Sequence, residues 1–318
     1  MLSFDVFQFA LGITAPIFIL LAIGNLLKKK GVLTDEFVTT GSQLVFNITL
    51  PALLFVNIVA AKFSLSDSIG LLGLGVIGTI AAYLILELTI PWLVQPAADR
   101  GVVIQGAFRA NMGIIGLAYC VNAYGSEVYS VAAVYLAMVT IVYNVLSVIT
   151  LVRWLSPGSS AKQLLAKVFL GVVKNPLIIA ICAALLINVS HLPVPEFLLQ
   201  TGEYFAQVTL PLALLCAGAS LNIKRDKNLG NAMISTALKL MIIPVFLVGV
   251  AAYLGFSGME LGVLFLMCSA PSASVSYVMA RALGGNAVLA ANIIAITTVL
   301  SVISTSVGII ILRSLDLM

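Results

Sequence analysis

Thr49-Leu50-Pro51 recurs 160 positions along the chain as Thr209-Leu210-Pro211. The same shift carries Pro16 onto Pro176, Glu36-Phe37 onto Glu196-Phe197 and Gly125 onto Gly285. Prolines and acidic residues are scarce in so apolar a chain, so coincidences at one fixed offset point to two copies of one structural unit, not to shared composition. The unit reads as hydrophobic helices. Two membrane-embedded repeats of this kind are an architecture in which the substrate site lies where the repeats meet.

Composition agrees. Hydrophobic residues make up 61% of the chain and charged residues 9%, against about half and about a quarter in a soluble protein. An integral membrane protein follows. The net charge of +4 is no nucleic-acid signal, because the basic residues sit in short clusters between apolar runs. Asp5 stands where a cleavable signal would carry a basic leader, and Lys28-Lys29-Lys30 follows the apolar run, so the first helix reads as permanent.

Windows of about 20 apolar residues, enough to cross a bilayer, centre near Leu20, Leu50, Gly78, Asn111, Met138, Ala180, Leu212, Met241, Pro271 and Ser301. The sequence therefore predicts an all-α polytopic protein with ten spans. Alternate loops are unequal in charge. One side collects Lys28 to Lys30, Arg100, Arg153, Lys162, Lys167, Lys224, Arg225, Lys227 and Arg281, and the other only Lys62 and Arg313. Positive loops stay inside, which places both termini outside the cell inner membrane. Five spans is an odd number, so repeats at 1–155 and 156–318 are inverted, joined near 156–160.

Two spans carry interruptions at one repeat position. The fourth holds Arg109-Ala110-Asn111-Met112-Gly113 and the ninth Ser269-Ala270-Pro271-Ser272-Ala273, and the shift maps Asn111 onto Pro271. Proline removes a backbone donor and glycine weakens a helix. Groups freed in this way are tolerated only inside protein or against a watery cavity. Half-helix ends meeting at mid-depth would offer amides and partial positive charge to an anion. Candidate substrate-binding residues are accordingly Arg109, Asn111, Met112, Gly113, Pro271, Ser272 and Lys239. Arg109 leads, because a guanidinium holds a carboxylate bidentately.

Glu87, Lys174 and Asn175 are candidates for coupling or gating. Glu87 reads as a proton carrier or as an ion-pair partner of Arg100 or Arg153. Cys120, Cys182, Cys216 and Cys268 are isolated, and His191 is the single histidine. That argues against a metal centre, a catalytic triad or any cofactor. No phosphate-binding loop is present, so energy should come from a gradient and not from ATP bound to this chain.

Asn111-Met112-Gly113-Ile114-Ile115-Gly116 and Ala270-Pro271-Ser272-Ala273, running on to Tyr277-Val278-Met279-Ala280, resemble the auxin efflux carrier family in its bacterial branch, with its malate and malonate permeases. The resemblance covers the whole chain. It implies broken fourth and ninth helices crossing at the substrate site, and a scaffold of spans 1, 2, 6 and 7 that forms a homodimer. A transport domain of spans 3–5 and 8–10 would then carry a mono- or dicarboxylate by elevator-type alternating access. Plant members have proline where this chain has Ala110, so glycines must loosen the fourth span here. The related fold of sodium-coupled bile-acid symporters keeps sodium as an alternative, though a proton or the membrane potential is favoured because no acid stands near the crossover. A transporter-fold receptor or sensor is a further alternative. The partners implied are a small organic anion and the lipid bilayer, with no nucleic acid.

Overall fold

The computed structural model describes residues 4–60, 65–155, 173–190, 192–221 and 229–318. The expected repeat junction at 156–160, His191, and the loop cations Lys62, Lys162, Lys167, Lys224, Arg225 and Lys227 lie outside the described residues. The described chain forms α1 (Phe4–Lys29), α2 (Asp35–Ala60), α3 (Leu65–Leu93), α4 (Ala97–Phe108), α5 (Leu117–Tyr124), α6 (Tyr129–Leu155), α7 (Pro176–Ser190) and α8 (Glu196–Ala219). It continues through α9 (Leu229–Tyr253), α10 (Gly258–Ser269), α11 (Val275–Ala282) and α12 (Ala287–Ser314).

The described residues form helices and no strand, and the protein is a multi-pass membrane protein. Among the described residues, six helical runs are long and apolar enough to cross a bilayer: α1, α2, most of α3, the run from Met112 through α6, α9 and α12. The difference from ten predicted spans has local causes. Breaks at 109–111 and 270–274 cut two of the predicted spans into pieces shorter than a crossing, α7 and α10 are shorter apolar helices, and the first half of α8 carries Glu196, Gln200, Glu203 and Gln207. The exposed faces are as apolar as the interior, with Leu88, Leu186, Val245 and Ile303 all outward, as helices solvated by lipid require.

Small residues set the closest helix contact. A Cβ on Gly24 of α1 would lie 2.2 Å from the carbonyl oxygen of Leu215, and one on Gly218 of α8 would lie 2.0 Å from that of Leu21. Only glycine lets the two backbones touch. Asn188 on α7 donates to the Ile58 carbonyl of α2 at 2.9 Å, so α1 pairs with α8 while α2 pairs with α7.

Two helices widen into a π turn just before a proline: Val45–Thr49 ahead of Pro51, and Leu238–Ile242 ahead of Pro244. The proline ring crowds the carbonyl one turn back, and widening the turn relieves that crowding without ending the helix. Lys239 stands inside the second of these turns.

Candidate functional site

α4 ends at Phe108, where Arg109 turns extended at φ −84°, ψ 105°, and α10 ends at Ser269, where Ala270 does the same at φ −57°, ψ 145°. The two breaks run antiparallel and form an isolated β-bridge between Ala110 and Ser272. Asn111 N–H donates to the Pro271 carbonyl at 2.7 Å, and Ala273 N–H donates to that of Arg109 at 3.0 Å. The break residues thus satisfy part of each other's backbone, which is how non-helical chain persists away from water. The Ser272 hydroxyl donates to the Gly106 carbonyl, and its N–H donates to Thr297 Oγ1. Pro271 and Ser272 therefore knit the crossing together.

Beyond the bridge each chain starts a new helix. A π turn at Met112–Gly116 leads into α5, and Ser274 stands just before α11 without a side-chain capping bond. The first N–H groups of a helix have no acceptors within it. Met112, Gly113 and Ile114 on one strand, with Ser274 and Val275 on the other, border a cavity of about 330 Å³. Its opposite wall comes from α2 (Ser42, Val45, Phe46, Leu50), α7 (Leu177) and α8 (Ala213, Ala217, Ser220), and α6 adds Leu136, Thr140 and Tyr143. The lining is mostly apolar, with polar groups at the crossing (Arg109, Asn111, Ser274), on α6 (Thr140, Tyr143) and on the opposite wall (Ser42, Ser220).

Arg109 and Asn111 also border this cavity. Arg109 is 5% exposed. Its Nη1 donates to the Tyr143 carbonyl (3.3 Å), Ser147 Oγ (3.0 Å) and Met279 Sδ (3.4 Å), and its Nη2 to Asn144 Oδ1 (2.7 Å). Every one of these acceptors is neutral, so a buried guanidinium stands without a carboxylate among the described residues. The Asn111 side chain is 9% exposed and makes no hydrogen bond to a described residue. Its amide is therefore free to bond a molecule that enters the cavity.

Lys239 is elsewhere. It is wholly buried, does not line the cavity, and its Nζ donates to the Cys268 carbonyl at 3.0 Å. That carbonyl belongs to the last turn of α10, so the ammonium sits at the negative end of a half-helix. Of the predicted set, then, Arg109, Asn111, Met112 and Gly113 share the cavity. Pro271 and Ser272 stand behind it in the crossing, and Lys239 stands behind α10.

Glu87 is 6% exposed and accepts from Thr150 Oγ1 and Trp154 Nε1 (3.1 Å), with Arg153 Nη1 at 3.3 Å. Its partner is Arg153. Arg100 instead stacks on Trp154 and donates to the Pro91 and Val94 carbonyls. Lys174 is exposed just ahead of α7, and Asn175 Oδ1 accepts from Leu177 N–H at 3.0 Å, opening that helix. Neither borders the cavity. The four cysteines are free thiols, and only Cys182 is exposed.

Sequence reasoning missed a second buried acid. Asp99, 3% exposed, accepts from Asn231 Nδ2 and Asn286 Nδ2, each at 3.1 Å, joining α4, α9 and the cap of α12. It also missed Ser42, Thr140, Tyr143, Asn144 and Ser220 around the cavity and Arg109. Tyr143-Asn144, a polar pair inside an apolar run, was the one legible signal among them. The others are single hydroxyls of a kind that most membrane helices carry for packing.

A model of the family described as "Membrane transport protein" matches residues 156–309. An uncharacterized transporter of Methanothermobacter thermautotrophicus is 26% identical over 293 residues, covering 91% of this chain and 93% of that protein. The uncharacterized transporter YfdV of Escherichia coli is 23% identical over 270 residues, covering 80% of this chain and 83% of its own length.

Proposed function

We propose that this chain, similar to membrane transport proteins over its second half and to uncharacterized transporters over most of its length, is a secondary transporter of the auxin efflux carrier family, carrying a small organic anion, a mono- or dicarboxylate, bound at the crossing. The observation that carries the proposal is the unpartnered, nine-tenths buried Asn111 amide. It lies beside a guanidinium with only neutral acceptors, on a cavity bordered by the first turns of two half-helices. Helix N-termini and an arginine favour negative charge, and a carboxylate satisfies both. The apolar remainder of the lining suits a carboxylate that carries a hydrocarbon body.

Access alternates by an elevator motion, in which ten spans in two inverted repeats separate into a scaffold and a moving transport domain. Two features support it. The cavity has one wall from α2, α7 and α8 and the other from the crossing with α6. Reciprocal pairing of α1 with α8 and of α2 with α7 is the pattern that two repeats offset by 160 positions would generate. The scaffold forms a homodimer, and both termini lie outside the cell inner membrane.

Coupling is to a proton or to the membrane potential. No carboxylate lines the cavity, so hard oxygen ligands for sodium are few there, and Glu87 is held in its ion pair away from the crossing.

The test is uptake of labelled carboxylates, led by malate and malonate, into proteoliposomes with pH, sodium and voltage gradients imposed one at a time. Saturable uptake driven by one gradient is expected. Uptake that requires sodium would favour the symport reading, and binding without flux would favour a receptor.

A further inference from the structure

A second cavity of about 570 Å³ lies outside the crossing, between the second half of α1 and the first half of α12. Phe18, Leu21, Ala22 and Leu26 form one wall, and Ala295 and Val299 form the other. Its side-chain donors are already committed. Asn25 Nδ2 donates to the Gly218 and Leu221 carbonyls, and the Thr298 hydroxyl donates to that of Ile294. The interior is therefore chemically a hydrocarbon slot.

The mouth differs. Lys29 lines it, is exposed, and has no acidic partner among the described residues, whereas its neighbour Lys28 is held by Asp35 at 2.7 Å. From Phe18 to Lys29 along α1 is about 16 Å at 1.5 Å per residue. That is about half of a bilayer's ~30 Å hydrocarbon core, so the slot has the depth of one leaflet, with a free ammonium at headgroup level.

We propose that this groove holds one acyl chain of an anionic phospholipid, with Lys29 on the lipid's phosphate. Three features converge on that occupant: an apolar slot whose side-chain donors are satisfied, one-leaflet depth, and a cation at its mouth with no acidic partner among the described residues. A basic site between helices at the membrane surface is the kind of place anionic headgroups occupy. The proposal is independent of what the crossing transports.

Native mass spectrometry of the full chain, extracted from bilayers of equal phosphatidylglycerol and phosphatidylcholine, tests it. The wild type should retain phosphatidylglycerol over phosphatidylcholine. Lys29→Gln should reduce that preference about fivefold, the equivalent of the roughly 1 kcal/mol that one lysine contributes beside an anionic surface, while Lys30→Gln leaves it unchanged. Ala22→Trp, which fills the slot, should lose the retained lipid whatever its headgroup, with thermal stability checked in each variant. Equal retention of both lipids by the wild type, or an unaltered preference in both Lys29→Gln and Ala22→Trp, would overturn the proposal. So would conversion of a dimer to a monomer by Ala22→Trp with lipid retention intact, since that would mark the groove as a subunit contact.

Discussion

Arg109, Asn111 and Lys239 show how differently three polar residues at similar depth are used. Arg109 keeps its charge among carbonyl, hydroxyl and amide acceptors, an arrangement that positions a cation without neutralising it. Arg109→Gln should raise the apparent KM for the proposed carboxylate substrate at least tenfold, the equivalent of about 1.4 kcal/mol; unchanged uptake kinetics would remove it from the candidate site. Asn111→Ala should raise KM while leaving thermal stability as it was, because no protein hydrogen bond is lost. Lys239 is a different case. Exchanging a buried charge for an apolar side chain of similar volume is often neutral or stabilising, so Lys239→Met should hold or raise Tm. If transport then falls, the ammonium is retained for function at the α10 end. A loss of Tm with normal uptake would make it a structural cap.

At the scale of the helices, what matters is where backbone meets backbone. Gly218 packs so close to the Leu21 carbonyl that a Cβ would sit 2.0 Å from it, and two helix backbones cannot both give way. Gly218→Val should therefore cost about 1–3 kcal/mol as overpacking, read as a lower Tm. Gly12, where a Cβ meets nothing within 4 Å, should tolerate alanine. The π turns of α2 and α9 follow the same logic, since each stands just ahead of a proline. The crossing differs because its breaks are repaired by each other, through the Asn111 to Pro271 and Ala273 to Arg109 bonds.

For the whole molecule, the cavity lies between two groups of helices, so their relative motion should open it to either side. Val45 and Val275 stand on opposite groups of the cavity lining. A cysteine at each, in a Cys182→Ser background that removes the exposed native thiol, should cross-link and arrest uptake reversibly. Free turnover with the cross-link formed would exclude the elevator motion. Orientation is testable in the same way. Lys29→Cys should react with an impermeant thiol reagent only from the cytoplasmic face, as the positive-inside bias demands.

Membrane residence, helical class and the location of both breaks were legible in the sequence, because each depends on local composition: apolar windows, and a proline or glycines where a helix must fail. So was half of the candidate site's lining at the crossing, since Arg109 to Gly113 are contiguous at one break. The rest required tertiary structure. Asn111 and Pro271 are 160 positions apart, and only the fold makes them hydrogen-bond partners. Sequence could give the depth of Lys239 but not its azimuth around the helix, which the π turn directs toward Cys268 and away from the cavity. It likewise left Glu87 with two possible arginine partners, and packing chose Arg153. Hydrophobicity is a property of a segment and survives being read along a line. Which side chains meet depends on how the helices are packed, and that is a property of the three-dimensional fold alone.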